Sequence, residues 1–279
     1  MAVAADRISI PNAPSRLSIY IEFGRIAFLK ILAYRLRYYT GIVTYFVNVT
    51  VYYFIWKAIY TSNTSIQGFD LTQMITYVSV GWIARSFYFN NIDRDLAAQV
   101  TEGRLASDLI RPVNLQMMYI SQAAGESVFR LVMFTAPTAL VILLVFPVSP
   151  PAGVVQCLLF LLSLVFSFLV FALINFIIGL FAIRLKSILG LIRAKHIVIE
   201  LLSGLLIPLS FFPNSFQRVF DFLPFKQITY TPLILYLGKA VGHDALKVLA
   251  IQVIWVVILA VVGHLFWRWN ESKITIHGG

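Results

Sequence analysis

Charge is what this sequence has least of. Only 12% of its 279 residues are charged and 59% are hydrophobic, with a mean hydropathy of +0.84. An ordinary soluble domain is about 25% charged and about 45–50% apolar. A soluble fold of this size would leave large apolar patches wet, so the bilayer is the solvent to expect. Cysteine is nearly absent: Cys157 is the single one. It lies in an apolar run, which excludes an internal disulfide and leaves the compartment unread. The first 16 residues hold no apolar h-region, so no cleavable signal peptide is expected and the first span should direct insertion. A GxxxxGK[ST] phosphate loop is missing. The one Gly-Lys pair, Gly238-Lys239, lacks the upstream glycine and is followed by Ala240, so the chain is not expected to bind or hydrolyse ATP itself. Neither HExxH nor a Cys/His cluster of ligand spacing occurs, which leaves no metal site to expect.

The charges present are lopsided, 22 Lys and Arg against 12 Asp and Glu, a net of +10. A nucleic-acid surface would cluster basic residues with accessible aromatics. Here they fall between apolar runs, the pattern of membrane flanks, and no nucleic-acid partner is expected.

Along the chain, residues 1–15 contain Pro11 and Pro14 and read as a loose cytoplasmic tail. Residues 16–38 read as an amphipathic helix lying on the membrane. Ser18, Glu22, Arg25, Lys30 and Arg37 share one arc, with Phe23, Ala27, Ile31 and Tyr34 opposite, although Ile26, Leu29 and Leu36 intrude on the polar arc. A plain cytoplasmic extension of the first span is the alternative. Spans are expected at about 41–60, 71–89, 117–146, 154–182, 196–209 and 246–267, where apolar runs can serve as the roughly 20-residue helices a bilayer needs. The fold expected is therefore all-α and polytopic, a single transmembrane domain over 16–268 with a tail at 269–279.

Two stretches break the pattern. Residues 90–113 are the longest polar stretch. Asn90 or Asn91 can cap a helix there, Asp93 and Asp95 suit its first turn, and Gly103 is a natural stop. Residues 210–245 are apolar and aromatic, but Pro208, Pro213, Pro224 and Pro232 chop the region into pieces too short to cross. Such pieces read as a re-entrant or interfacial outer segment.

Orientation follows from the basic residues. With both termini inside, 17 of the 22 Lys and Arg lie on the cytoplasmic side. The outer side keeps Lys57, Arg218, Lys226, Lys239 and Lys247. This satisfies the positive-inside rule and requires an even number of spans.

Intramembrane ionisable groups are functional candidates by default. His196 and Glu200, four apart, share a helix face, as a proton-coupled transporter could use. Both are expected near the cytoplasmic boundary, where water and snorkelling solvate them. Glu126 and Arg130 can neutralise each other. The midplane candidates, Asn48 and Asn175, read as helix–helix hydrogen bonds. Asn63-Thr64-Ser65 fits a glycosylation sequon of little weight.

The layout resembles the type-2 ABC-transporter permease family, more narrowly the bacterial subfamily of uncharacterised ABC transport permeases. The stretches that carry the resemblance are LAYRLRYYTG (32–41), TEGRLASDLIRPVN (101–114) and SGLLIPLSFFPNSFQRVFDFLPFKQITYTPLILYLGK (203–239). The resemblance implies a multi-pass inner-membrane subunit of an exporter that pairs with a second copy or a related permease. It also implies a separate ATPase subunit holding ATP and Mg, with the path at the dimer interface. A short cytoplasmic helix would then couple to the ATPase. It maps onto Asp93, Arg94, Asp95, Gln99 and Glu102, followed by Gly103 and Arg104, and the lead helix is a second ATPase-facing element. The outer segment would form a lid lined by Phe211, Phe212, Phe220, Phe222 and Phe225 between Pro208, Pro213 and Pro224. Such a lid suits a lipid, glycolipid or amphiphilic cargo. Of the rivals, an ATP-independent secondary transporter calls for midplane charge and internal repeats, which the sequence does not display. An intramembrane enzyme calls for a convergent nucleophile–base or metal set. A membrane scaffold is compatible with the same helices.

Overall fold

The computed structural model of the protein describes residues 15–32, 36–62, 64–185 and 187–271. Among them run α1 (Arg16–Leu32), α2 (Leu36–Ile59), α3 (Leu71–Tyr88), α4 (Ile92–Thr101), α5 (Leu105–Leu109) and α6 (Leu115–Arg130). These are followed by α7 (Ala136–Val145), α8 (Val154–Leu180), α9 (Leu189–Leu202), α10 (Asn214–Asp221), α11 (Tyr230–Tyr236) and α12 (Gly242–Glu271). A two-stranded hairpin, β1 (Ser65–Ile66) with β2 (Phe69–Asp70), turns through Gln67 and Gly68, both at positive φ. Long apolar runs make the long helices, and four among the described residues are long and apolar enough to cross a bilayer: Thr40–Ile59, Leu115–Val145, Val154–Ile183 and Gly242–Glu271. Asp70 caps α3 by accepting from the Gln73 amide at 2.8 Å, and Asn114 caps α6 from Met117 at 3.0 Å.

α8 is the centre of the packing. α12, α4, α11 and α3 all lie against it. Phe87 meets Phe168, Tyr88 and Phe89 meet Phe171, and Asn175 bonds Asn90, so α3 and α8 run side by side in one direction. Where α3 and α8 begin, the hairpin, the 147–153 turn and the 237–241 loop gather. Lys239 donates to Gln73 there, and the Ala152 amide donates to the Tyr236 carbonyl. At the other end lie α4, α5 and the Arg184–Asn270 hydrogen bond.

Four expectations need correction. First, of the expected 16–38 helix, α1 accounts for Arg16–Leu32, and residues 36–38 belong to α2. Tyr34 lies outside the described residues, and Arg37 falls in α2 with its side chain outside them. The apolar arc of α1 faces its own chain: Ala27 and Ile31 are buried, and Phe28 stacks edge-on to Phe129 of α6. The two backbones touch at Gly24 and Gly125, where a Cβ on Gly125 would stand 1.9 Å from the Gly24 carbonyl oxygen. A helical wheel identifies an apolar face but not whether lipid or another helix covers it. Second, the expected third helix widens into a π-turn at Leu131–Thr135 before α7. Pro137 follows immediately; it has no N–H to give residue 133, and its ring crowds that carbonyl.

Third, the expected 196–209 span is shifted. α9 begins at Leu189 and has 14 residues, roughly 21 Å of helix. It ends because Gly204 takes a left-handed conformation, φ +79°, and the Tyr77 hydroxyl claims the Gly204 carbonyl at 2.5 Å. Fourth, the last helix is longer than 246–267, covering 30 residues.

The proline-broken stretch after α9 is short turns and helices, as expected. Its middle reaches far from its ends. The Gln227 carbonyl accepts from Gln252 of α12 at 2.8 Å and from Ser167, the central residue of α8, at 3.2 Å. Gln252 also bonds Ser163, and Thr231 bonds the Gln227 side chain. Thr229 shares a 2.8 Å hydrogen bond with Tyr88. α11 then returns to Tyr236, which donates to the Ser149 carbonyl.

Candidate functional site

The charged stretch between α3 and α6 folds as α4, a Gly103 turn at φ +70°, and α5. α4 is amphipathic by sequence: Ile92, Asp93 and Leu96 make one face and are buried. Gly179 of α8 makes room for that face, since a Cβ there would lie 3.0 Å from Leu96 and 3.1 Å from the Asp93 backbone.

Asp93 is therefore not an outward-facing charge, which corrects its place among the partner-facing residues. Its side chain is 1% exposed and accepts at 2.5 Å from Lys195 of α9, itself 4% exposed. Lys195 also donates to Asn175 Oδ1 at 2.5 Å, and the Asn175 amide group donates to both oxygens of Asn90 at 2.9 and 3.0 Å. Four polar residues thus join α4, α8, α9 and the α3–α4 connection in one satisfied network. Asn175 bridges elements as expected, whereas Asn48 bonds the Thr44 carbonyl of its own helix. The physical reason for the change is burial: an unpaired carboxylate at this position would be prohibitively costly, and Lys195 compensates it.

The remaining residues of the predicted set stand on the outer face. Arg94, Asp95, Glu102, Gly103 and Arg104 are exposed and Gln99 is half-buried. Arg104 pairs with Glu102. A cleft of about 590 Å³ lies beside them, walled by Phe23 and Lys30 of α1, Asp95 and Gln99 of α4, Arg104, and Glu126 of α6. It brings the lead helix and the charged helix into one surface. The cleft walls take water from the Asp95 carboxyl and push its pKa up, against the pull of Lys30. Glu22 and Arg25 are exposed on α1 and pair with each other at 2.7 Å.

At the opposite end, the expected lid residues are mostly committed to internal packing. Phe211 stacks edge-on to Trp56 and Phe69, Phe212 stacks on Phe220, and Phe225 packs against the core around α8. Pro208 is buried, Pro213 is exposed and starts α10, and Pro224 opens a 3-10 turn. Phe222 alone of the predicted set projects strongly, at 81% exposed.

Sequence reasoning missed Lys195, which it placed among flanking basic residues, and the Gln227–Gln252–Ser163–Ser167 cluster. A signal existed for Lys195: it sits three residues after Ile192 and four before Ile199, in the middle of the buried stripe of α9. Glu200 pairs with Arg85 of α3 at 2.8 Å, a partner that its sequence position does not indicate.

These helices and their buried polar joints are those of an all-α, multi-pass membrane protein with a charged face at one end. The model of the ABC-2 family transporter proteins matches residues 46–278, and the chain belongs to that family. It is a transport permease of the membrane-subunit type, not itself the ATPase. No curated protein matches the chain.

Proposed function

We propose that the chain is the membrane subunit of an ATP-driven exporter, one permease domain over residues 16–268 that dimerises with a second copy or a related permease. A separate ABC ATPase supplies the ATP and Mg and docks on the outer face of α4. The observation that carries this reading is the seating of α4. Its charged face is free while its inner face is locked to α8 and α9 through Asp93–Lys195, so a push on α4 has a rigid route into the bundle. The cleft shared with α1 supports the lead helix as a second docking element.

Six spans complete the reading, with both termini in the cytoplasm of the cell that bears the protein in its inner membrane. α3 and the stretch from α9 to Phe211 join the four long apolar helices. α3 tolerates its polar residues because most of it is buried. The segment from 210 to 245 is re-entrant: it dips to the level of Ser167 and returns through α11, with its freed backbone groups bonded inside protein rather than facing lipid. The gathering of α4, α5 and Arg184 at one end and Lys239 at the other is in keeping with the 17-to-5 division of basic residues. The cargo class is a lipid, glycolipid or other amphiphile.

Purifying the tagged chain from its native membranes tests the reading. An ATPase subunit should co-purify and hydrolyse ATP. Purification without any ATPase, together with transport that persists after ATP depletion, contradicts it.

A further inference from the structure

Of the four long apolar helices, α2 is the one with an amide left open at its centre. Its span, Thr40–Ile59, has 20 residues, roughly 30 Å of helix, which is the thickness of the hydrocarbon layer itself. Asn48 is the ninth residue of that span, about 12 Å from one end and about 16 Å from the other. Near the centres of the other three, Arg130, Ser167 and Gln252 are buried within the protein. Asn48 is exposed. Its amide nitrogen donates to the Thr44 carbonyl one turn back at 2.8 Å, and its Oδ1 has no partner among the described residues.

The packing of α2 shows which way this side chain faces. Val49 and Trp56 are buried, and Tyr45 meets Trp82 of α3 and Phe134 of the π-turn edge-on. Those residues form the face that packs on the bundle. Thr44, Asn48, Val51 and Ile55 recur at intervals of three and four, and all four are exposed. They form a second stripe, turned roughly 110° around the helix axis from the first. Thr44 is small, which lets another helix approach closely. Acyl chains over this stripe would leave the Asn48 oxygen without a hydrogen-bond donor, which is costly in hydrocarbon. A donor from outside the chain removes that cost.

We propose that this stripe is the contact between two copies of the chain, α2 laid against α2 across a twofold axis at Asn48. The inference rests on the dimer of the exporter reading and names its partner as an identical copy. The chemistry is self-complementary, because a carboxamide carries both an acceptor and donor hydrogens. Across a twofold axis, Nδ2 of each Asn48 donates to Oδ1 of the other. The second hydrogen of each Nδ2 stays on its own Thr44 carbonyl. A twofold contact sets the same surface on both sides, so Thr44, Val51 and Ile55 meet their own stripe on the other copy. α2 is also the least buried of the four, 11% against 22% or more for the others.

The test uses the full chain in lipid vesicles without an ATPase, with Cys157→Ser removing the one native cysteine. Single cysteines replace Thr44 and Val51 on the stripe, and Val43, which is exposed but off it. On oxidation, Thr44→Cys and Val51→Cys should give a disulfide-linked dimer and Val43→Cys should not, since a disulfide needs Cβ atoms about 4 Å apart. Energy transfer between dye-labelled chains, diluted with lipid, then gives the dimer's dissociation constant. Asn48→Leu should raise it about tenfold, the effect of losing two interhelical amide hydrogen bonds. Cross-linking from Val43→Cys as strong as from the other two, or from none of the three, overturns the proposal with Asn48 itself intact. So does an unchanged dissociation constant in Asn48→Leu. If Thr44→Cys instead reacts with a water-borne thiol reagent and forms no dimer, the stripe lines water and the proposal fails. These outcomes leave ATPase co-purification, the test of the exporter reading, untouched. A chain that dimerises here but brings down no ATPase keeps the contact and loses that reading.

Discussion

Lys195 illustrates how one side chain changes the meaning of its neighbours. As a basic residue in a polar connection it would be a topology signal. With 4% of its side chain exposed and a 2.5 Å bond to Asp93, it is a joint. Breaking a buried pair by removing one partner leaves a stranded charge and costs about 3–5 kcal/mol, whereas replacing both members with apolar residues of similar size is often neutral. We therefore expect Lys195→Met alone to destabilise the purified protein by about 3–5 kcal/mol, and Asp93→Leu with Lys195→Met to recover most of that loss. Thermal unfolding of the single and double variants checks this; equal losses in both would show that the pair does not hold α4. Little of this was legible in the sequence. Asp93 and Asp95 look alike there, both acids in the first turn of α4. The difference is set by Gly179 and Lys195, 86 and 102 residues away along the chain from Asp93.

At the scale of elements, the local signals were the readable ones. Gly103 stops α4, the prolines fragment 208–232, and the long apolar runs are helices. What could not be read is which neighbour an apolar face meets. α1 buries Ala27 and Ile31 beside α6 while Leu17, Ile21, Ile26 and Leu29 stay exposed, and α9 stopped at Gly204 though the apolar sequence runs on to Leu209. Two expectations belong to this scale. Reversing charge at Arg94, Asp95 and Glu102 together should weaken ATPase co-purification about tenfold or more while leaving membrane insertion and unfolding temperature unchanged, because these side chains are exposed. Unaltered co-purification removes α4 from the docking surface. For the outer segment, Phe222→Cys should react with an impermeant thiol reagent from outside the cell. Phe211→Cys, wedged between Trp56 and Phe69, should not. Reaction of Phe222→Cys from the cytoplasmic side only would reverse the topology.

For the whole molecule, composition alone demanded a membrane, and charge alone suggested which side of it. The fold adds a line of buried polar joints through an otherwise apolar bundle: Gln227–Gln252 near the centre, Asn90–Asn175–Lys195–Asp93 toward the α4 end. Such joints specify how helices register and offer alternative partners when they shift. They tie α4 to α8 and α9, and α8 in turn to α12 and the segment around Gln227. The measurement that bears most directly on this account is photo-crosslinking in intact membranes from a reactive side chain at position 99, beside the cleft between α1 and α4. The account predicts a crosslink to an ABC ATPase subunit from position 99 and none from position 222. A crosslink to the ATPase from 222 alone, or none from either site, would contradict it.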